Sequence, residues 1–219
     1  SIREALSQST NIPAVRVLAR VGPGRLMGRF RRAGVNAQFP QKSEPTLAMA
    51  LGGTGLTLRD LTQLYAALAR GGEGITLSHR TSDRGKIAAQ GRLKPLVNAR
   101  RMMSPVAAWY VSDILKDALP PANAKGGRFA YKTGTSYGYR DAWAIGYDGR
   151  HVIAVWIGRP DGTSVPGMMG RTAAAPILFD AFARLGAKRM PLQSKPEGAL
   201  QVAAAELPPP LKRWSERSE

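Results

Sequence analysis

Two short segments of this chain hold the residue types from which a catalytic site could be built. Near the start stands Ser9-Thr10-Asn11, and far along stands Lys132-Thr133-Gly134-Thr135-Ser136. Together they offer hydroxyls and an amide, which donate and accept hydrogen bonds, and an ammonium, which only donates. Such a set can pass a proton, hold a carbonyl and attract an anion. Each segment also has an ordinary structural use. Ser-x-Asn makes a good helix cap, and Lys-Thr-Gly makes a turn at a strand end. Other chemistry is excluded by composition. There are 0 Cys and 2 His, at positions 79 and 151. Disulfides, thiolate zinc sites and cysteine catalysis are therefore absent, and a histidine-rich metal site is not expected. A Ser-His-Asp triad would have to use one of those two histidines. No cofactor and no metal are expected.

The elements that must position these residues can be read from capping and periodicity. Ser1-Ile2-Arg3-Glu4-Ala5-Leu6 reads like a helix in progress. Asn11 or Ser9 could cap the next helix, whose first turn holds Pro13 and which runs towards Gly22. A short helix is expected around Leu26 to Arg32. Residues 34–56 read as loop, with a turn at Gly52-Gly53-Thr54-Gly55. Thr57 and Asp60 form a capping box for a helix whose stripe is Leu58, Leu61, Leu64, Tyr65 and Leu68, stopped by Gly71-Gly72. Residues 71–100 read as a long surface excursion. Ser104-Pro105 opens a helix with Val106, Tyr110 and Ile114 on one face. The period then changes. Phe129–Thr135, Ala142–Tyr147 and His151–Gly158 read as strands, the last two joined by a two-residue Asp148-Gly149 link, a strong hairpin signal. The run at 151–158 is apolar on both faces, so helices should cover both sides. Trp143 and Trp156 are expected in the core. Residues 172–185 return to helical spacing. From Gly186 the chain is Pro-rich, and Leu207-Pro208-Pro209-Pro210 would be extended polyproline.

Length and charge bound the rest. The chain has 219 residues and 23.5 kDa, with 43% apolar and 21% charged residues. That fits one ordinary domain with a tail and excludes a wholly disordered chain, a coiled coil or a collagen-like fibre. The net charge is +17 and the pI about 11.0. Such a field favours acidic partners: nucleic acid, anionic lipid or an anionic polymer. The tight clusters at Arg29-Phe30-Arg31-Arg32 and Arg100-Arg101 read as solvated faces. No apolar run approaches a membrane span, and no signal segment opens the chain.

Order and context join the two segments. A helix-entry Ser-x-Asn precedes a strand-borne Lys-Thr-Gly-Thr, followed by a hairpin and a terminal helix. With a Ser-x-x-Lys element upstream, these are the three motifs of β-lactamases and penicillin-binding proteins. Residues 1 to about 185 resemble the transpeptidase domain of bifunctional, class A penicillin-binding proteins. Ser7 to Val15 looks like the family's Ser-x-Asn helix entry, Leu51 to Gly72 like the helix that follows, and Tyr131 to Gly158, with Arg140-Asp141-Ala142-Trp143, like its last three strands. Ala205 to Leu211 is similar to the linker after this domain in the 1C group.

The resemblance implies an α/β fold of the α+β type, an antiparallel sheet flanked by helices, with the domain over 1–185 and a Pro-rich tail or interdomain linker over 186–219. It implies a periplasmic, serine-type D,D-transpeptidase whose parent is anchored in the inner membrane, also carries a glycosyltransferase, takes peptidoglycan stem peptides and is acylated by β-lactams. Ser9 would relay the proton, Asn11 would hold the substrate's amide carbonyl, and Lys132 would orient Ser9 and draw in the terminal carboxylate. Thr133 and Thr135 would bond that carboxylate or its neighbours. Gly134 would let the substrate approach the strand, and the Thr135 N–H would form half of the oxyanion hole. Two other readings remain at this point: a D,D-carboxypeptidase or β-lactamase-type hydrolase, and a basic non-catalytic module binding a polyanion, although no specific nucleic acid is expected.

The departure from the family pattern is one motif. No Ser-x-x-Lys occurs in these residues, and Ser112 and Lys116 are one residue too far apart. In the family that element lies upstream of Ser-x-Asn, so it is expected to precede Ser1, and the chain is expected to be a piece of something longer. By itself it should be inert. The two strands that precede the nucleophile helix in the family should also be missing, leaving an apolar edge around Val152 to Ile157.

Overall fold

Four residues, Asp148 to His151, turn the chain between the two longest strands of a computed structural model that describes residues 1–39, 44–78, 100–122, 124 and 129–202. The expected two-residue link is therefore longer by Arg150 and His151. The Asp148 carboxylate accepts the N–H groups of Arg150 and His151 at 2.8 and 2.6 Å, a side-chain turn that Asp makes readily. Gly149 serves a different need. Its N–H donates to the Met190 carbonyl at 3.1 Å, and a Cβ there would lie 2.1 Å from the Pro191 carbonyl oxygen. The glycine lets a later stretch of chain dock against the turn.

The sheet has the order β1 (Ala130–Thr135), β2 (Asp141–Tyr147), β3 (Val152–Gly158), antiparallel throughout. Lys132 pairs with Ile145, Gly134 with Trp143, and Trp143 with Trp156. One face packs Tyr131, Ala142 and Ala144 against Leu178 and Phe182, both 0% exposed. Those two belong to the last long helix, Ala175–Arg184. The other face packs Ala130 and Tyr147 against Leu115, with Tyr65, Leu68 and Val111 around them. β3 lies at the sheet edge. Helices do reach both its sides, through Val152 on one and Ile153, Val155 and Ile157 on the other. None of its residues is fully buried, because an edge strand lacks a neighbour to close it. The tryptophans expected in the core are not buried: they pair across β2 and β3, ring centroids 6.0 Å apart, outside both of the sheet's buried clusters. Trp143 is half-buried and Trp156 is 36% exposed, its indole N–H on the Asp141 carboxylate at 2.8 Å.

Among the described residues nine helical segments build the rest, six of them α-helices. These six are α1 (Ile2–Ser7), α2 (Asn11–Val21), α3 (Pro23–Arg32), α4 (Leu58–Ala69), α5 (Pro105–Leu115) and α6 (Ala175–Arg184). The sequence signals at α4 and α5 hold. Thr57 and Asp60 cap each other reciprocally, and Ser104 Oγ accepts the Ala107 N–H at 3.2 Å. Three expectations are corrected. Neither Asn11 nor Ser9 caps α2. Thr10 is its N-cap and makes no side-chain cap bond. The stretch 34–56 is not all loop, since Leu47–Leu51 forms a 3-10 turn capped by Thr46. The helix expected from residue 172 starts as a π turn, Gly170–Ala174, before α6. Most of the 71–100 excursion, with His79, lies outside the described residues, as do residues 203–219 and their polyproline. Past Gly186 the chain stays on the domain. Met190 N–H donates to Asp148, Gln193 Nε2 to the Ala69 carbonyl at 2.8 Å, and the Tyr110 hydroxyl brackets the Leu200 N–H and carbonyl at 2.7 and 2.8 Å.

Candidate active site

α1 ends in a six-residue reversal that sets the first candidate group. The Thr10 N–H donates to the Ala5 carbonyl at 2.9 Å and the Ser9 N–H to that of Leu6 at 3.3 Å. This is a Schellman closure, whose fifth position, just after the helix cap, is left-handed and usually glycine. Ser9 occupies it, with φ +60°. A non-glycine residue in that conformation costs about 1 kcal/mol. The result is a hydroxyl thrown out at the apex of the turn. α1 itself is fixed to α5 by Arg3, which donates to the Asp113 carbonyl at 3.1 Å, to Asp117 at 2.8 Å and to the Asp113 carboxylate. Burial pushes the Asp113 carboxyl up, but hydrogen bonds from Lys116 and Arg3 outweigh it and hold the group below its usual range.

The second wall is β1. Lys132 leaves the strand on the face opposite Tyr131, and its Nζ donates to Ser9 Oγ at 2.5 Å and to the Thr133 carbonyl at 2.8 Å. Residues far apart in sequence thus meet at hydrogen-bond distance. Burial disfavours the ammonium and lowers its pKa to about 8. Between the walls lies a cavity of about 50 Å³, lined among others by Ser7, Ser9, Leu119, Lys132, Thr133 and Arg171. That space suits one or two waters, so a peptide would have to lie along the open edge of β1. The lining has two cations and no carboxylate.

The remaining candidates divide. Thr133 lines the cavity. A Cβ on Gly134 would make only ordinary contact, 3.6 Å from Trp143, so nothing inside the chain demands a glycine there. Thr135 is exposed, and its Oγ1 accepts the Gly170 N–H at 3.0 Å. That bond uses one of its two lone pairs and leaves the O–H free to donate. Asn11 opens α2, exposed, and does not line the cavity. Ser136 accepts the Asp141 N–H at 2.8 Å and shapes the β1–β2 turn. His151 sits in the β2–β3 turn against Asp148. A wider hollow between α6 and the docked tail, lined by Ala183, Arg189 and Pro191, holds none of the candidate groups. Sequence reasoning missed Arg3, Gly170 and Arg171. No spacing rule connects them to Ser9 or Lys132; only the fold does.

A lysine on an antiparallel strand, bonded to a helix-turn serine beside an open strand edge, defines the class of serine acyl-transfer folds shared by penicillin-binding proteins and β-lactamases. Residues 1–183 match the family model "Penicillin binding protein transpeptidase domain", and the chain belongs to that family, as the transpeptidase domain of a class A penicillin-binding protein. It is 42% identical over 182 residues to penicillin-binding protein 1C of Escherichia coli K12, covering 81% of this chain and 22% of that protein. To penicillin-binding protein 1A of Neisseria gonorrhoeae it is 32% identical over 195 residues, covering 82% and 24%. The chain therefore spans about a quarter of the length of these relatives. The fold matches penicillin-binding protein 1A from Haemophilus influenzae with TM-score 0.66 at 19% identity, over 90% of this chain and 36% of that one. It also matches the PonA1 protein from Mycobacterium tuberculosis in complex with penicillin V, with TM-score 0.64 at 21% identity, over 90% and 58%. Among the described residues no helix is long and apolar enough to cross a membrane.

Proposed function

We propose that this chain is the Ser-x-Asn and Lys-Thr-Gly part of a peptidoglycan D,D-transpeptidase, which cross-links stem peptides by serine acyl transfer and is acylated by penicillins. The meeting of Lys132 Nζ and Ser9 Oγ at 2.5 Å carries this reading. The nucleophilic serine and its base belong to a Ser-x-x-Lys element encoded upstream. Its Oγ attacks the carbonyl between the two D-alanines, the C–N bond breaks, and the departing D-Ala amine takes a proton relayed through Ser9. An acceptor amine then displaces the serine. Lys132 holds Ser9 and supplies positive potential, Thr133 and Thr135 bind the substrate's terminal carboxylate, and Gly134 leaves room for its backbone. The Thr135 N–H stabilises the oxyanion, a contribution worth roughly 3–4 kcal/mol of barrier. Asn11 holds the substrate amide once the upstream element completes that wall. The transpeptidase unit covers 1–185, and 186–219 forms its tail or linker. The parent also carries a glycosyltransferase and works in the periplasm, anchored in the inner membrane.

Fluorescent penicillin tests this reading. Residues 1–219 alone should not label covalently. The chain extended upstream through Ser-x-x-Lys should label stoichiometrically and resist boiling, and Lys132→Ala in it should slow acylation by roughly two orders of magnitude or more. Labelling of 1–219 alone would put the nucleophile inside these residues and undo the assignment.

A further inference from the structure

Arg171 stands at the start of the π turn and lines the cavity together with Ser9, Lys132 and Thr133. Its only hydrogen bond among the described residues is a long one, 3.5 Å to the Pro120 carbonyl, and no carboxylate lines the cavity to pair with it. A guanidinium presents a rigid fork that matches a carboxylate bidentately. Its base is held firmly. Gly170 lies so close to β1 that a Cβ would stand 2.3 Å from the Gly134 carbonyl oxygen and 2.6 Å from that of Trp143, and its N–H is committed to Thr135.

Resting on the transpeptidase reading, we propose that Arg171 is a substrate-binding residue that clamps the C-terminal carboxylate of the peptide, as a permanent charge beside the titratable Lys132. The two cations differ in use. Lys132 is buried enough to ionise near pH 8 and spends two of its donors on Ser9 and Thr133. An arginine stays charged throughout and has donors to spare. The π turn touches both partners of the anion: the Gly170 N–H occupies one lone pair of Thr135 Oγ1 and leaves its O–H free to donate, and the next residue supplies the guanidinium.

The test uses the full-length protein and two probes, a tripeptide ending in D-Ala-D-Ala with a free carboxylate and the same peptide as its C-terminal amide, with binding measured calorimetrically. Arg171→Gln should weaken the acid peptide by roughly ten- to a hundred-fold, the value of a hydrogen bond to a charged group, and leave the amide unchanged. Arg171→Lys should recover part of the loss. Above pH 8 the deficit of the Gln variant should widen, because Lys132 no longer covers for it. An equal loss on both peptides would show a structural role, and no loss would show that the carboxylate lies elsewhere; either overturns the clamp. Penicillin labelling of the unsubstituted protein is read separately. If labelling fails while Arg171→Gln still separates acid from amide, the transpeptidase reading falls and the carboxylate site stands.

Discussion

Lys132 stands on a strand paired along its whole length with β2 and flanked by the buried Ala130 and Tyr131, whereas Ser9 stands at the end of α1, a helix with no buried residue. The strand wall is held by an apolar core that runs through Phe129, Tyr131, Leu178 and Phe182. The helix wall is held by Arg3 in an ion cluster, by the Lys132 bond and by the half-buried Leu6, packed against the cluster of Leu115, Ala130 and Tyr147. Apolar burial is non-directional and large; a half-exposed ion cluster is directional and small. One wall is therefore held mainly by core packing, and the other mainly by polar contacts and one half-buried leucine.

Breaking each wall should expose the contrast. Phe182→Ala removes a ring stacked on Phe129 at 4.0 Å between centroids, in a site 0% exposed. It should cost about 3–5 kcal/mol, read by chemical denaturation, and should take the strand wall and any penicillin labelling with it. Arg3→Ala should cost less, about 1–2 kcal/mol, since Asp113 keeps Lys116. Its distinguishing mark is a slower acylation in the upstream-extended chain, out of proportion to the stability lost. An acylation rate that follows stability alone would show that α1 needs no such anchor.

The titration of Lys132 sharpens the comparison without touching the backbone. Burial lowers its pKa to about 8, so the protonated form, which donates to Ser9 and on the proposed reading attracts the carboxylate, is present below that pH and is lost as pH rises through it. Acylation should fall about ten-fold for each unit above pH 8. Lys132→Arg should remove that limb while lowering the plateau, because a guanidinium does not lose its charge and does not fit the same contacts. A profile flat to pH 10 would mean that the neutral amine is the working form.

Much of this was legible in the residues. The capping box at Thr57 and Asp60, the Ser104-Pro105 helix start and the strands around Asp148-Gly149 rest on local rules, and local rules operate within a few residues. The pairing of Ser9 with Lys132 was legible only as a motif resemblance. What stayed hidden is long-range. Gly149 reads as a turn residue, yet its lack of a side chain admits Pro191. Ser9 reads as a cap, yet it closes α1 in a left-handed conformation and Thr10 takes the N-cap. Trp143 and Trp156 read as core by type, but they pair with each other across β2 and β3, outside the buried clusters on either face. Arg171 reads as one more arginine in a chain of net charge +17.

The smallest expected change separates the two walls most cleanly. Ser9→Gly removes the hydroxyl and also a non-glycine residue from φ +60°. Relief of the left-handed conformation should return about 1 kcal/mol, while the freer unfolded chain should cost about 0.5–1 kcal/mol. Lys132 keeps its bond to the Thr133 carbonyl, so the ammonium is not left without a partner. The net change in stability should lie within about 0.5 kcal/mol, and α1 should keep its closure, because glycine suits that position better than serine does. Acylation in the upstream-extended chain should nonetheless drop sharply, since the proposed proton relay and the acceptor for Lys132 go together. Equal stability with lost acylation would mark Ser9 as chemistry set into a turn that does not require it. Retained acylation would mean that the hydroxyl is only a structural partner for Lys132, and the proton path would have to run elsewhere.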